Sequence, residues 1–317
     1  MKILIADKFP EKWIDKLKEK NHEVTFNKSL TGEDLPEAIK DNNILVVRST
    51  KVNKDTIDAA KNLKLIIRAG SGYNTIDIDY AKEKGIAVSN CPGMNSLAVA
   101  ELAMTHMLAL DRRLYHNVRD LRAKKWNKKE YSKADGIYGK SLGIIGIGVI
   151  GREVAKRAQA FGMRLLGYDP YLKDGEFEKL NIKKYDDIYN LAKDADIITI
   201  HLPETKETKG LFDEKFFSNM KDGATFINTS RGGVVKQDDL LKAVKEKNIK
   251  AGIDVYENEP DANANEFNDE ITQYENIYGT HHIGASTNQA QDAVAEMAVK
   301  IVDEYEKTGK FLNRVNN

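Results

Sequence analysis

The sequence predicts an α/β protein built as two parallel-sheet domains with a cleft between them, and three observations predict it. Short β-branched runs alternate with stretches of helical period along the 317 residues. That alternation pauses at a polar, aromatic-dotted stretch, KKWNKKEYSKADGIYGK, and then resumes. A glycine pattern opens the second half. Strand–helix alternation implies βαβ units and parallel sheet, so each half reads as one Rossmann-like or flavodoxin-like domain.

In the first half the pairs run KILIA then WIDKLKEKN, ILVVRS then KDTIDAAKN, LKLIIRAG then DIDYAKEKG, and IAVSN then SLAVAELAMTHMLAL. Asn95 and Ser96 are good caps for the last of these helices. Its length exceeds an ordinary crossover, which suits a bridge between domains or a subunit contact. The second half reads SLGIIGIG, RLLGYDP, DIITIHLP, ATFINTS, KAGIDVYENEP and NIYGTHHIG. A final helix over 288–307 carries an apolar face, Val294, Met297 and Ile301, that needs a partner. Returning it to the first domain leaves a cleft crossed by two connections, a place where ligands bind.

Composition narrows the function. Lys plus Arg and Asp plus Glu each number 49, so no basic excess points to nucleic acid or to an anionic membrane. The expected partner is a small molecule. A single cysteine, Cys91, forms no internal disulfide, suits a reducing compartment, and reads as a small buried hydrophobe beside Pro92. MKILIAD meets Asp7 too early for the apolar core of a signal peptide, and the apolar stretch from Leu97 to Leu110 is broken by Glu101 and His106. The expected location is the cytoplasm. No metal site is expected.

SLGIIGIGVIGREVAKRAQAFG places Gly146, Gly148 and Gly151 in GxGxxG spacing, after an apolar strand and before a helix. Gly146 permits the tight turn, Gly148 lets backbone approach a pyrophosphate, and Gly151 allows the helix to pack on the strand. The helix N-terminus offers free N–H groups to phosphate. Asp169, in YDP at the next strand end, suits both ribose hydroxyls and repels a 2′-phosphate, which favours NAD over NADP. Val149 stands where a cation would help, leaving the anion to backbone.

Three later strand ends carry Arg231 (NTSRGGVV), Glu259 (DVYENEP) and His282 (THHIG). Hydride exchange between a nicotinamide and a ketone needs a proton donor for the developing alkoxide and a cation for the neighbouring carboxylate. Histidine, with an unperturbed pKa of ~6.5, does the first near neutral pH. A glutamate on its far nitrogen would orient it, and arginine grips a planar carboxylate with two parallel bonds. Taken singly, each has a plainer role: a surface ion pair, a turn carboxylate, a structural histidine. All three follow apolar strands in the half that carries the glycines.

GIIGIGVIG with YDP, HLP, NTSRGGVV, DVYENEP and HIGAS resembles, in order and over nearly the whole chain, the D-isomer-specific 2-hydroxyacid dehydrogenases. The resemblance implies a discontinuous substrate domain, residues 1–98 plus 287–317, around an NAD domain, 99–286, usually in a homodimer. It implies Arg231 as substrate anchor, His282 as acid/base and Glu259 as its partner, with His281 standing where the family usually has proline. Ser71, Val149, Ile150, Leu202, Pro203, Thr229, Ser230, Asp254 and Gly284 would line the cofactor, Asp254 near the nicotinamide amide. His201 would be structural or beside the adenine.

Arg48 and Arg68 end two first-half strands, and Gly70, Ser71 and Gly72 offer backbone N–H groups to a carboxylate. Two arginines besides Arg231 exceed what a monoanionic hydroxy acid requires. With NSLAVAE, these stretches look most like family members that oxidise 3-phospho-D-glycerate to 3-phosphohydroxypyruvate, in which such arginines meet the phosphate. The alternative for either arginine is an ion pair at a domain edge; Asn95 either touches substrate or only caps its helix. Long forms of those members carry a further serine-binding C-terminal domain, and with the chain reaching only Asn317 no serine feedback through one is expected. Glyoxylate or hydroxypyruvate reduction is a second reading, and an NAD-sensing partner of the co-repressor kind a third.

Overall fold

The computed structural model describes residues 1–260 and 266–317. They form two compact units, Met1–Asn95 with Ala285–Asn317, and Ser96–Gly284.

In the first unit, strands β1 (Lys2–Ile5), β2 (Glu23–Phe26), β3 (Ile44–Val47), β4 (Leu65–Arg68) and β5 (Ala87–Asn90) form a sheet of order β2-β1-β3-β4-β5 with every pairing parallel. This is the flavodoxin-like order, whose reversal point lies between β1 and β3. The inner strands read as continuous β-branched runs because both faces are covered, and Ile44, Leu45, Val46 and Val47 are all buried. β2 was not foreseen in the sequence: its EVTF is an edge strand with largely exposed side chains. The helix Asn288–Thr308 is opened by Thr287, whose hydroxyl accepts from Ala290 N, and is closed by Gly309 at φ +71°. Its Val294 and Ile301 pack with Ile3, Ile5 and Ile67 of the sheet, which meets the need for a partner read from the sequence. Cys91 is fully buried there, and burial pushes its thiol up to about 12.

The second unit holds β6 (Ser141–Ile145), β7 (Arg164–Tyr168), β8 (Lys183–Lys184), β9 (Ile197–Ile200), β10 (Thr225–Asn228), β11 (Lys250–Ile253) and β12 (Ile277–Gly279). The order is β12-β11-β10-β9-β6-β7-β8, again all parallel. This is the Rossmann order extended by one strand, with its reversal between β6 and β9. β8, two residues of exposed lysine, carries no period that a sequence reading could detect. The helix Ser96–Asp111 is apolar on most sides because it is enclosed: Ala100, Ala103, Met104 and Met107 join Ile144, Ala155 and Ile227 in one cluster. After it come the helix Leu114–Arg122 and, within the polar stretch, the helix Lys128–Tyr131.

Candidate active site

The nucleotide loop follows β6, at the strand reversal of the second unit. Gly146 sits at φ +88°, and a Cβ there would meet the carbonyl oxygen of His201 at 2.6 Å. A Cβ on Gly151 would meet the Gly146 oxygen at 2.2 Å, whereas around Gly148 the space is open. The helix Val149–Ala160 therefore begins on a residue with no side chain to cap it, and its first N–H groups stay available. Asp169, past the end of β7, ties this loop to its own turn: Oδ2 accepts from Ile147 N at 2.8 Å and Oδ1 from Tyr171 N at 2.9 Å. Open space at Gly148, an uncapped helix start and an adjacent carboxylate are what a dinucleotide's pyrophosphate and ribose require. Val149 is exposed, Ile150 partly buried. Beside them, His201, Leu202 and Pro203 follow β9; His201 Nε2 lies 3.0 Å from Thr199 Oγ1. His201 keeps some exposure as a residue, yet its Nδ1 is sealed and has no partner among the described residues. Burial accordingly pushes the ring down to about 3, so it stays neutral.

The arginine turn follows β10. Asn228, 2% exposed, braces it: its Oδ1 accepts from Ser230 N (2.9 Å) and Ser230 Oγ (2.8 Å), and its Nδ2 donates to the Arg231 carbonyl at 2.9 Å. The Arg231 guanidinium donates to Ser230 O at 2.6 Å. Burial lowers its pKa from the usual arginine range, while Glu259 and then Glu204 oppose that, and it remains a cation. The two glycines have separate causes. A Cβ on Gly232 would stand 1.8 Å from Tyr256 O, and one on Gly233 would stand 2.7 Å from the Glu204 carboxylate. The Thr229 hydroxyl is buried with no partner among the described residues.

His282 Nδ1 and Glu259 Oε1 are 2.5 Å apart. With Nδ1–H donating to the carboxylate, Nε2 is left to exchange a proton, and the half-exposed ring is open to a reactant. His282 holds φ +50°, in the left-handed region that a side chain disfavours. The backbone around it is pinned by Asp254, which is 1% exposed: Oδ1 accepts from Ile283 N at 2.8 Å and Oδ2 from Gly284 N at 2.8 Å. Both oxygens of the carboxylate expected beside a nicotinamide amide thus accept from backbone N–H groups. His281 is exposed.

In the first unit, Asp7 at the end of β1 organises the Arg48 loop, its Oδ2 accepting from the backbone of Arg48 (2.6 Å), Ser49 (3.1 Å) and Thr50 (3.1 Å). The Arg48 guanidinium reaches Ser286 Oγ at 3.3 Å. Arg68 folds over its own loop, with Nη1 standing 1.4 Å from where a Cβ on Gly70 would be, so a side chain there would displace the guanidinium as well as strain a backbone at φ +154°. Ser71 Oγ donates to Asn95 Oδ1 at 2.8 Å, and Asn90 Nδ2 donates to Ser71 O at 2.6 Å. Gly72 follows in the same loop. Asn95 therefore engages Ser71, a role its capping chemistry did not announce.

Asn228, Glu204, Tyr256 and Asp7 were missed in the sequence. Asn228 alone offered a signal, since asparagine at a strand end bonds the backbone two residues on.

Residues 104–284 match the NAD binding domain of the D-isomer specific 2-hydroxyacid dehydrogenases, and the chain belongs to that family. Among its relatives, the D-3-phosphoglycerate dehydrogenase of Methanocaldococcus jannaschii is 42% identical over 95% of this chain and 57% of that one. The hydroxypyruvate reductase of Thermotoga maritima is 42% identical over 89% of this chain and 90% of its own. This chain thus spans somewhat more than half the length of the first relative and nearly all of the second. The crystal structure of NAD+-bound 3-phosphoglycerate dehydrogenase from Entamoeba histolytica superposes with a TM-score of 0.84, at 27% identity over 100% of this chain and 99% of that one. The second unit is an NAD-binding domain. No described helix is long and apolar enough to cross a membrane, and no described His, Cys, Asp and Glu cluster could hold a metal.

Proposed function

We propose that the protein interconverts 3-phospho-D-glycerate and 3-phosphohydroxypyruvate with NAD, in the cytoplasm and as a homodimer. The observation that supports this chemistry is the bond between His282 Nδ1 and Glu259, which leaves Nε2 to meet a reactant. Bound NAD supplies the hydride acceptor. In oxidation neutral His282 takes the hydroxyl proton at Nε2 while the hydride leaves the same carbon, giving the ketone. In reduction the charged ring returns that proton. Arg231 holds the carboxylate next to the reacting carbon, and Asp169 selects the unphosphorylated ribose. In this reading the first unit is the substrate domain, and Arg48, with Arg68 and the N–H groups of Gly70, Ser71 and Gly72, takes the phosphate.

A second reading, reduction of hydroxypyruvate or glyoxylate, draws on the Thermotoga maritima relative, matched over nearly its full length. One experiment separates the two: NADH oxidation over phosphohydroxypyruvate, hydroxypyruvate, glyoxylate and pyruvate, with wild type and Arg48→Ala. The first reading expects phosphohydroxypyruvate to lead by kcat/KM and Arg48→Ala to lose that substrate selectively. An equal effect of Arg48→Ala on all substrates would move the assignment to the second.

A further inference from the structure

The helix Ser96–Asp111 carries a histidine that the proposed chemistry does not use. His106 is 4% exposed, and β11 makes room for it: a Cβ on Gly252 would lie 2.6 Å from the His106 Cβ. Its Nε2 lies 3.2 Å from Thr280 Oγ1, which donates to Asp254 Oδ1 at 2.7 Å. Thr280 is otherwise fixed through its backbone: its N–H donates to Ile253 O at 2.8 Å and its carbonyl accepts from Tyr256 Oη at 2.9 Å. Gly279 leaves room for that tyrosine, since a Cβ there would lie 2.4 Å from Tyr256 Oη.

A threonine hydroxyl has one proton. Asp254 already accepts two backbone N–H bonds, so it is an acceptor and receives the Thr280 proton. The hydroxyl can then only accept from the imidazole, and His106 must carry its proton on Nε2. The order Nε2–H to Oγ1–H to Oδ1 is a polarised chain in which each bond strengthens the next. Its last member fixes the N–H groups of Ile283 and Gly284, the two residues directly after His282, which itself holds a strained φ of +50°. Such strain persists only where the surroundings over-determine it.

We infer that His106 is a positioning residue for the acid/base histidine, acting through Thr280 and Asp254 to hold the backbone that presents His282. This rests on the acid/base reading of His282 above. Burial lowers the His106 pKa, with Asp254 opposing, which suits a neutral donor.

The test combines kinetics with a readout independent of turnover. His106→Leu and Thr280→Val each lower kcat by about 10- to 100-fold, the scale of a small misplacement of a reacting group. The dissociation constant for NADH stays within twofold. The double variant is no worse than the poorer single one, because both cut the same chain. His106→Gln, which restores an N–H at the Nε2 position, and Thr280→Ser, which restores the hydroxyl, recover most of the rate. Unchanged kcat in the folded His106→Leu protein, or losses that multiply, would overturn the inference. Independently, a nitrogen-15 histidine spectrum at pH 7, assigned with His106→Gln, shows His106 as the neutral Nε2–H tautomer. It also shows His282 ring signals displaced in Thr280→Val. An Nδ1–H tautomer, or unmoved His282 signals, would refute the relay even were no substrate turned over, whereas failure of turnover alone would fall on the assigned reaction.

Discussion

In the proposed reaction His282 and Glu259 divide one task between them, and substitutions can separate the parts. Removing the imidazole in His282→Ala deletes the group to which the proton transfer is assigned, and kcat should fall by roughly 10²- to 10⁴-fold, the range general acid–base catalysis contributes. Glu259→Gln keeps a hydrogen-bond acceptor but removes the charge facing both His282 and Arg231. Its expected loss is smaller, and KM for the 2-oxo acid should also change, because the arginine loses an acidic neighbour. Steady-state kinetics in both directions check this. In that reaction oxidation would use the neutral ring and reduction the charged one, so the wild-type rate should rise with pH in the first direction and fall in the second. His282→Ala should flatten both profiles; retained profiles would assign the proton transfer elsewhere.

The two glycines after Arg231 look equivalent in sequence and are not. A Cβ on Gly232 would collide with a backbone oxygen, Tyr256 O at 1.8 Å, which cannot move without shifting the segment that leads to Glu259. The atoms nearest a Cβ on Gly233 are the end of the Glu204 side chain, at 2.7 Å, which can rotate away. Gly232→Ala should therefore cost about 2–3 kcal/mol, the upper part of the overpacking range, and most of the activity. Gly233→Ala should be mild; urea denaturation and NADH oxidation on the pair check the contrast. Strand and helix identity was legible in the sequence because period and glycine spacing are local. β2 and β8 were not: EVTF alternates over only four residues, and the two lysines of β8 include no apolar residue at all. The polar residues at the strand ends were legible as candidates, since arginine, glutamate and histidine after apolar runs stand out. Their supports were less so: Asn228 braces a buried local turn that its place at a strand end only hints at, and an isolated histidine on an apolar helix gives no hint of a threonine 174 positions away.

Across the whole molecule, acid stability follows from histidines that fold neutral. Burial lowers the pKa of His22, His106, His116 and His201, and His201 goes furthest, to about 3. In the unfolded chain His201 returns to ~6.5 and binds a proton that the folded state refuses. A group whose folded pKa is depressed contributes stability that is present above the unfolded value and lost as pH falls toward the folded one. For His201 the window runs from about 6.5 down to about 3. At pH 5 the unfolded state gains 1.5 pH units of protonation at this site, which is about 2 kcal/mol. His201→Gln can still accept from Thr199 but has no such proton to bind. Urea unfolding at pH 7.5 and 5 should therefore show wild type losing about 2 kcal/mol more than the variant over that interval. His22, His106 and His116 are common to both proteins and cancel in the difference. Parallel losses would mean that the His201 ring reaches solvent in the native state, and its proton would then be free to come and go before unfolding.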